Sequence, residues 1–180
     1  MQLTSQQTLP VAQDVAWRSL NDIDLLRESI PGCESITPTG ENEYEALVVA
    51  AVGPVKAKFK GRLRLSDLDP PNAYTIQFDG QGGAAGHGKG TAQVRLEPAG
   101  AQSTVLHYAV NASVGGKIAQ VGSRLVDMAA QKMAGDFFEN FNAKLQARQA
   151  PAAAAAPAAP AADDRGFIAR LIARLRRLLA

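Results

Sequence analysis

The stretch Gly83-Ala84-Ala85-Gly86-His87-Gly88-Lys89 has the spacing G-x-x-x-x-G-K, the opening of a loop that cradles phosphates. Such a loop needs a Ser or Thr directly after the lysine to hold Mg²⁺, and a helix whose first amides face the phosphates. Gly90 stands in that place instead, and Thr91-Ala92-Gln93-Val94-Arg95-Leu96 alternates like a strand. Gly86, Gly88 and Gly90 recur at period two, so they share one face of an extended segment. Glycines there suit a bend or a close backbone approach that leaves room for something. Nucleotide chemistry is not supported.

Other reactive residues are sparse. His87 and His107 are the only histidines, and with the single Cys33 they form no metal-ligand spacing. Alternation in Thr104–Val110 puts Leu106, Tyr108 and Val110 on one face and His107 on the solvent face. No G-x-S-x-G, H-E-x-x-H or paired-carboxylate signature occurs. The lone cysteine excludes a disulfide framework and fits a reducing cytosol. The opening MQLTSQQTLP has neither the basic start nor the apolar core of a signal peptide, and no apolar run is long enough for a spanning helix.

The elements around these residues read as three segments: a domain over 1–148, a linker over 149–164 and a helix over 165–180. In the first, a strand near Gln2–Leu9 precedes a short helix over Val11–Leu20 carrying Trp17. Asn21 or Asp22 can cap a second short helix that ends before Pro31-Gly32. Six strands follow, separated by turn signals, and after Gly115-Gly116 the period becomes helical. Ile118, Val121, Leu125, Met128, Ala129, Met133, Phe137 and Phe141 form one apolar stripe reaching about Arg148. The order predicts an α+β fold, an antiparallel sheet with its helices segregated.

The Gly53-Pro54 turn predicts a register in which Val52 faces Val55, Glu45 faces Arg62 and Glu43 faces Arg64. Tyr44, Ala46, Val48 and Ala50 then share the inner face with Ala57, Phe59, Gly61 and Leu63. Lys56, Lys58, Lys60, Arg62 and Arg64 form a basic row on the other face, either a solvated surface or a docking strip for an acidic partner or for phosphate headgroups. Lys56, Lys58 and Lys60 have no acid opposite them in this register, so they are the candidate docking residues.

Charge is unevenly placed. Residues 1–162 carry 14 Lys/Arg against 15 Asp/Glu, whereas residues 163–180 carry five Arg against two Asp. The slightly acidic domain, and a tail without base-reading side chains, argue against a nucleic-acid partner. Residues 149–164 are alanines punctuated by Pro151, Pro157 and Pro160, a tether that could reach on the order of 40 Å if extended. On a helix, Phe167, Ile168, Leu171, Ile172, Leu175, Leu178 and Leu179 fall within an arc of roughly 140°. Arg165, Arg170, Arg174, Arg176 and Arg177 take the opposite side. Such a helix is about 24 Å long, too short and too charged to span, but suited to lying in an anionic membrane surface. A partner protein's helix, or the domain itself, could cover the same face.

Four stretches together resemble the CoxG family of carbon monoxide dehydrogenase accessory proteins, in the START-like (SRPBCC) superfamily. They are Ile30-Pro31-Gly32-Cys33-Glu34, the hairpin Gly53–Gly61, the glycine-rich strand entry, and Gly115–Leu125 continuing to Phe137-Phe138. The resemblance covers about residues 1–146. It implies a helix-grip fold, a curved antiparallel sheet around a long C-terminal helix with an apolar cavity between them. It also implies a non-catalytic accessory role, with no catalytic residues to assign and no covalent cofactor. That role is to recruit a molybdenum-containing carbon monoxide dehydrogenase, or a related hydroxylase, to the cytoplasmic side of the cell membrane. The implied lipophilic ligand is a quinone, menaquinone or ubiquinone. On this reading Phe59, Phe78, Leu106, Tyr108, Val121, Leu125, Met128, Met133 and Phe137 are candidate lining residues, with Gly86 and Gly88 keeping one side open. A START-like cyclase or hydrolase, and a docking adaptor without ligand, are the rival expectations.

Overall fold

The Gly53-Pro54 turn joins strands β3 (Glu43–Val52) and β4 (Val55–Asp69), and the register runs from Val52↔Val55 to Glu45↔Arg62 and Glu43↔Arg64, as the sequence predicts. Gly53 has φ of +56°, the conformation wanted at the first central position of a two-residue hairpin. This is a computed structural model, and it describes residues 1–154, with side-chain surroundings described through residue 149. Membrane-surface candidates Phe167, Ile168, Leu171, Ile172, Leu175, Leu178, Leu179, Arg170, Arg174 and Arg177 lie outside the described residues.

Around that hairpin stand β1 (Gln2–Leu9), β2 (Cys33–Gly40), β5 (Ala73–Gln81), β6 (His87–Gly100) and β7 (Ser103–Gly115). The order is β1-β7-β6-β5-β4-β3-β2, with every neighbouring pair antiparallel. Helices α1 (Gln13–Leu20) and α2 (Ile23–Ser29) link the two edge strands, and a short α3 (Lys117–Gln120) precedes the long α4 (Ser123–Ala154). Asp22 is the cap of α2, accepting from the Leu25 amide at 3.0 Å, and thereby satisfies an amide the helix cannot. Residues 1–149 make one compact unit. Helix α4 continues to Ala154, past the start of the expected tether at residue 149.

The sequence stripe on α4 needs one correction. It treats Ile118 to Phe141 as one continuous helix, but the chain breaks between α3 and α4, where Gly122 takes φ of +95°. The break resets the helical phase. Val126 turns inward and is buried, while Leu125 and Met128 are 39 % and 57 % exposed. Farther along, Phe138, Phe141 and Leu145 are buried. They join Leu9, Val11, Leu20, Leu25, Tyr74, Leu96 and Leu106 in a continuous core beneath α1 and α2. The C-terminal half of α4 is also tied to α2 by polar contacts. Asn140 Nδ2 donates to the Ser29 carbonyl at 3.1 Å, Lys144 meets Glu28 at 3.1 Å, and Arg148 meets Asp22 at 2.6 Å.

Candidate ligand cavity

Alternation sends Leu63 and Leu65 of β4, Tyr74 and Ile76 of β5, Ala92 and Val94 of β6, and Leu106, Tyr108 and Val110 of β7 to the inner face of the sheet. Helix α4 crosses above them with Ala130, Met133, Ala134, Phe137 and Phe138. The alanines keep that stretch of helix slim, so sheet and helix stand apart there and meet only farther along, where Phe138 reaches Tyr108. A cavity of about 420 Å³ remains, closed at one end by Leu20, Asn21, Ile23, Leu26, Ile30 and Pro31. Its size is within the range of small-molecule sites.

Its walls are apolar apart from Met1 with its ammonium, Asn21 and the rings of Tyr44, Tyr74 and Tyr108; among the described residues no Asp, Glu, Lys, Arg or His side chain lines it. Tyr108 stacks on Phe138 with ring centroids 5.4 Å apart, and Phe137 packs against both Phe138 and Phe141. Trp17 meets Tyr74 edge-on at 5.4 Å. These aromatic contacts fix the wall in one geometry and leave the cavity its shape.

Of the candidate lining residues, the structure brings Leu106, Tyr108, Met133 and Phe137 onto the wall. It places Phe59, Phe78, Val121, Leu125, Met128, Gly86 and Gly88 elsewhere. Phe59 lies over Gly82, where a Cβ would run into its ring. Phe78 shares the inner face but sits opposite Leu63 and Gly90, one step beyond the cavity on β5. Val121 lies at the break before α4, and the reset phase turns Leu125 and Met128 outward. The glycines serve close packing of backbones and do not border the open space. A Cβ on Gly86, whose φ is +116°, would meet the Gly115 carbonyl, and one on Gly90 would meet the Asn111 carbonyl. At Gly88 the nearest atom, Val114 Cγ1, would be at an ordinary 3.6 Å.

Tyr44, Tyr74, Asn21 and the α2 residues are absent from the sequence-derived set. Tyr44 is within reach of sequence reasoning, because the hairpin register puts it beside Leu63. Tyr74 is too, since alternation along β5 puts it on one face with Ile76 and Phe78.

The opposite face of the sheet is polar. Lys58 pairs with Glu34 at 2.7 Å and Lys60 with Glu45 at 3.0 Å. The hairpin register alone offers neither lysine an acid; one partner comes from the next strand over and the other from a diagonal neighbour. Lys56 has no ion-pair partner among the described residues. A shallow trough of about 950 Å³ crosses this face, lined by alternating charges such as Glu45, Arg62, Asp79 and Lys89, which lie in one row across β3–β6. It is larger than the inner cavity, but its charges face one another and leave little to recruit a ligand.

Reactive chemistry is thin throughout. Burial pushes the Cys33 thiol above its ordinary range, which keeps it un-ionised and unreactive. His107 lies on the outer face with Nε2 3.4 Å from Glu97. Among the described residues no cluster of His, Cys, Asp or Glu could hold a metal ion, and no helix is long and apolar enough to cross a membrane.

Residues 6–146 match the model of the carbon monoxide dehydrogenase G-subunit (CoxG) family. No curated protein sequence matches the chain. Among solved structures, a conserved protein from Geobacillus kaustophilus is 28 % identical with a TM-score of 0.77, over 81 % of this chain and 95 % of its own. A START superfamily protein from Mycobacterium smegmatis superposes with a TM-score of 0.63 at 11 % identity, over 81 % and 97 %. The ZhuI aromatase/cyclase from Streptomyces sp. R1128 does so with a TM-score of 0.61 at 13 % identity, over 82 % and 94 %. The last two likenesses show the fold, a START-like helix-grip.

Proposed function

Because the chain belongs to the CoxG family of carbon monoxide dehydrogenase, we propose that it is an accessory protein that carries a lipophilic ligand, a quinone, in the cavity under α4. In this role it holds a molybdenum-containing carbon monoxide dehydrogenase, or a related hydroxylase, at the cytoplasmic face of the membrane. One observation carries the reading. The inner face and α4 border a cavity of about 420 Å³ whose wall, among the described residues, carries no charged side chain, a space suited to an apolar molecule. The family name supports the dehydrogenase as partner.

The tail sequence supplies the membrane contact in this proposal, its apolar face in the acyl boundary and its arginines among anionic headgroups. Lys56, the one candidate docking lysine without an ion pair among the described residues, remains for the partner enzyme. A cyclase or hydrolase reading draws on the ZhuI likeness alone, which is a likeness of fold. The cavity wall supports the accessory reading over it, because among the described residues it offers tyrosines but no carboxylate, imidazole, lysine or arginine side chain for acid–base work.

Two measurements test the proposal. Native mass spectrometry of the full chain, with organic extraction, should find a quinone-class mass on the protein; an empty protein overturns the ligand role. Flotation with vesicles containing phosphatidylglycerol should carry the full chain but not a chain ending at Gln149. Equal flotation of the two removes the tail from the membrane role.

A further inference from the structure

Tyr74 is 6 % exposed and lines the cavity, yet its hydroxyl has no hydrogen-bond partner among the described residues. A buried phenol without a partner is uncommon, and each instance calls for a reason. The side-chain atoms fully sealed from solvent and unpartnered among the described residues are Asp127 Oδ1 and Asn142 Oδ1. The Tyr74 hydroxyl is not one of them, so it borders open space, and the space its inward-facing ring meets is the cavity. The ring itself is fixed by the edge-on contact with Trp17 and by its place in the core. Burial raises its pKa far above the ordinary phenol range, so the group stays protonated and is free to donate.

We propose that Tyr74 is the hydrogen-bond donor for a neutral oxygen acceptor, a carbonyl, on the head of the cavity's ligand. The site then prefers an apolar molecule with a carbonyl head to a hydrocarbon of equal length, because only the first satisfies the phenol. This inference rests on the cavity's being a ligand site, as proposed above, and adds which head group it reads and through which atom.

Trp17 is the only tryptophan in the chain and touches Tyr74, so its emission reports on this end of the cavity. The full chain is titrated with a decyl-substituted benzoquinone, read by quenching of Trp17. Decylbenzene is then used as a competitor that relieves the quenching. Tyr74→Phe, which keeps the ring and removes the hydroxyl, should weaken quinone binding by about 3- to 10-fold, the size of one neutral hydrogen bond. Decylbenzene should compete equally well in both proteins. Unchanged quinone affinity in Tyr74→Phe overturns the inference, as does an equal loss for decylbenzene. If neither quinone nor decylbenzene binds the unaltered protein, the ligand-cavity reading falls and this inference with it. If both bind and Tyr74→Phe changes neither, the cavity stands and only the assignment of Tyr74 falls.

Discussion

Asp22 and Arg148, 126 positions apart, are joined at 2.6 Å, and the same carboxylate accepts the Leu25 amide through its other oxygen at 3.0 Å. One side chain therefore caps α2 and fastens the C-terminal half of α4 to it. The Leu25 amide, followed by the Arg148 guanidinium, holds the Asp22 carboxyl below the usual carboxylate range. A depressed carboxyl contributes stability that is present above its unfolded value and is lost as pH falls through the folded value. Asp22→Ala should thus cost about 1 kcal/mol at neutral pH, the usual size of a lost cap, with the partly exposed ion pair adding little. The difference from the unaltered protein should shrink as the pH drops below the carboxylate range, read by urea unfolding at several pH values.

Gly86, Gly88 and Gly90 share a strand and differ in what surrounds them. Gly90→Ala forces a methyl into the Asn111 carbonyl and should cost about 1–3 kcal/mol, as overpacking does. Gly86→Ala adds an unfavourable positive φ to a similar collision with Gly115 and should cost at least as much. Gly88→Ala meets an ordinary contact and should stay within about 0.5 kcal/mol of the unaltered protein. Thermal unfolding of the three variants orders them; a destabilised Gly88→Ala contradicts the packing described.

Ala134 borders the cavity from α4. Ala134→Leu places extra methyl groups in open space, where they can form new contacts without displacing a neighbour. Thermal stability should be retained or raised, while quenching of Trp17 by the decyl-benzoquinone should be lost. Retained stability with undiminished quenching would show that the quinone binds elsewhere.

The phase of α4 can be tested with polar substitutions. Leu125→Gln and Met128→Gln, on exposed positions, should each change stability by less than about 0.5 kcal/mol. Val126→Gln buries an amide among apolar side chains and should cost about 2 kcal/mol or more. Reversed effects, read by urea unfolding, would restore the continuous stripe that the sequence suggests.

That stripe shows where sequence periodicity stops being informative. A hairpin's register follows from its turn, so Glu43, Glu45, Arg62 and Arg64 can be placed from the residues alone, as can the outward His107. Helical phase follows from where the helix starts. One glycine with positive φ at 122 rotates everything after it, so periodicity points Leu125 and Met128 at the cavity and passes over Val126. Long-range pairing is also beyond its reach. Lys58 finds Glu34 across the β-bulge of β2 between Cys33 and Ser35, and nothing in local spacing signals that bulge. Cavity walls combine both difficulties, because they draw single residues from β1, α2, β4–β7 and α4 at once. Leu106, Tyr108, Met133 and Phe137 are legible as positions on regular elements, and Tyr74 follows from the same alternation that carries Phe78; Asn21 depends on how the two short helices come together at their junction.

The three polar ties between α2 and the end of α4 have a mechanical meaning. If the chain beyond residue 149 is tugged by whatever it grips, the load enters at Arg148, Lys144 and Asn140 and passes into α2 and the solid core beneath. The stretch from Ala130 to Phe138 lies upstream of that strain relief. The molecule can therefore be moored by its far end while its hollow keeps its dimensions.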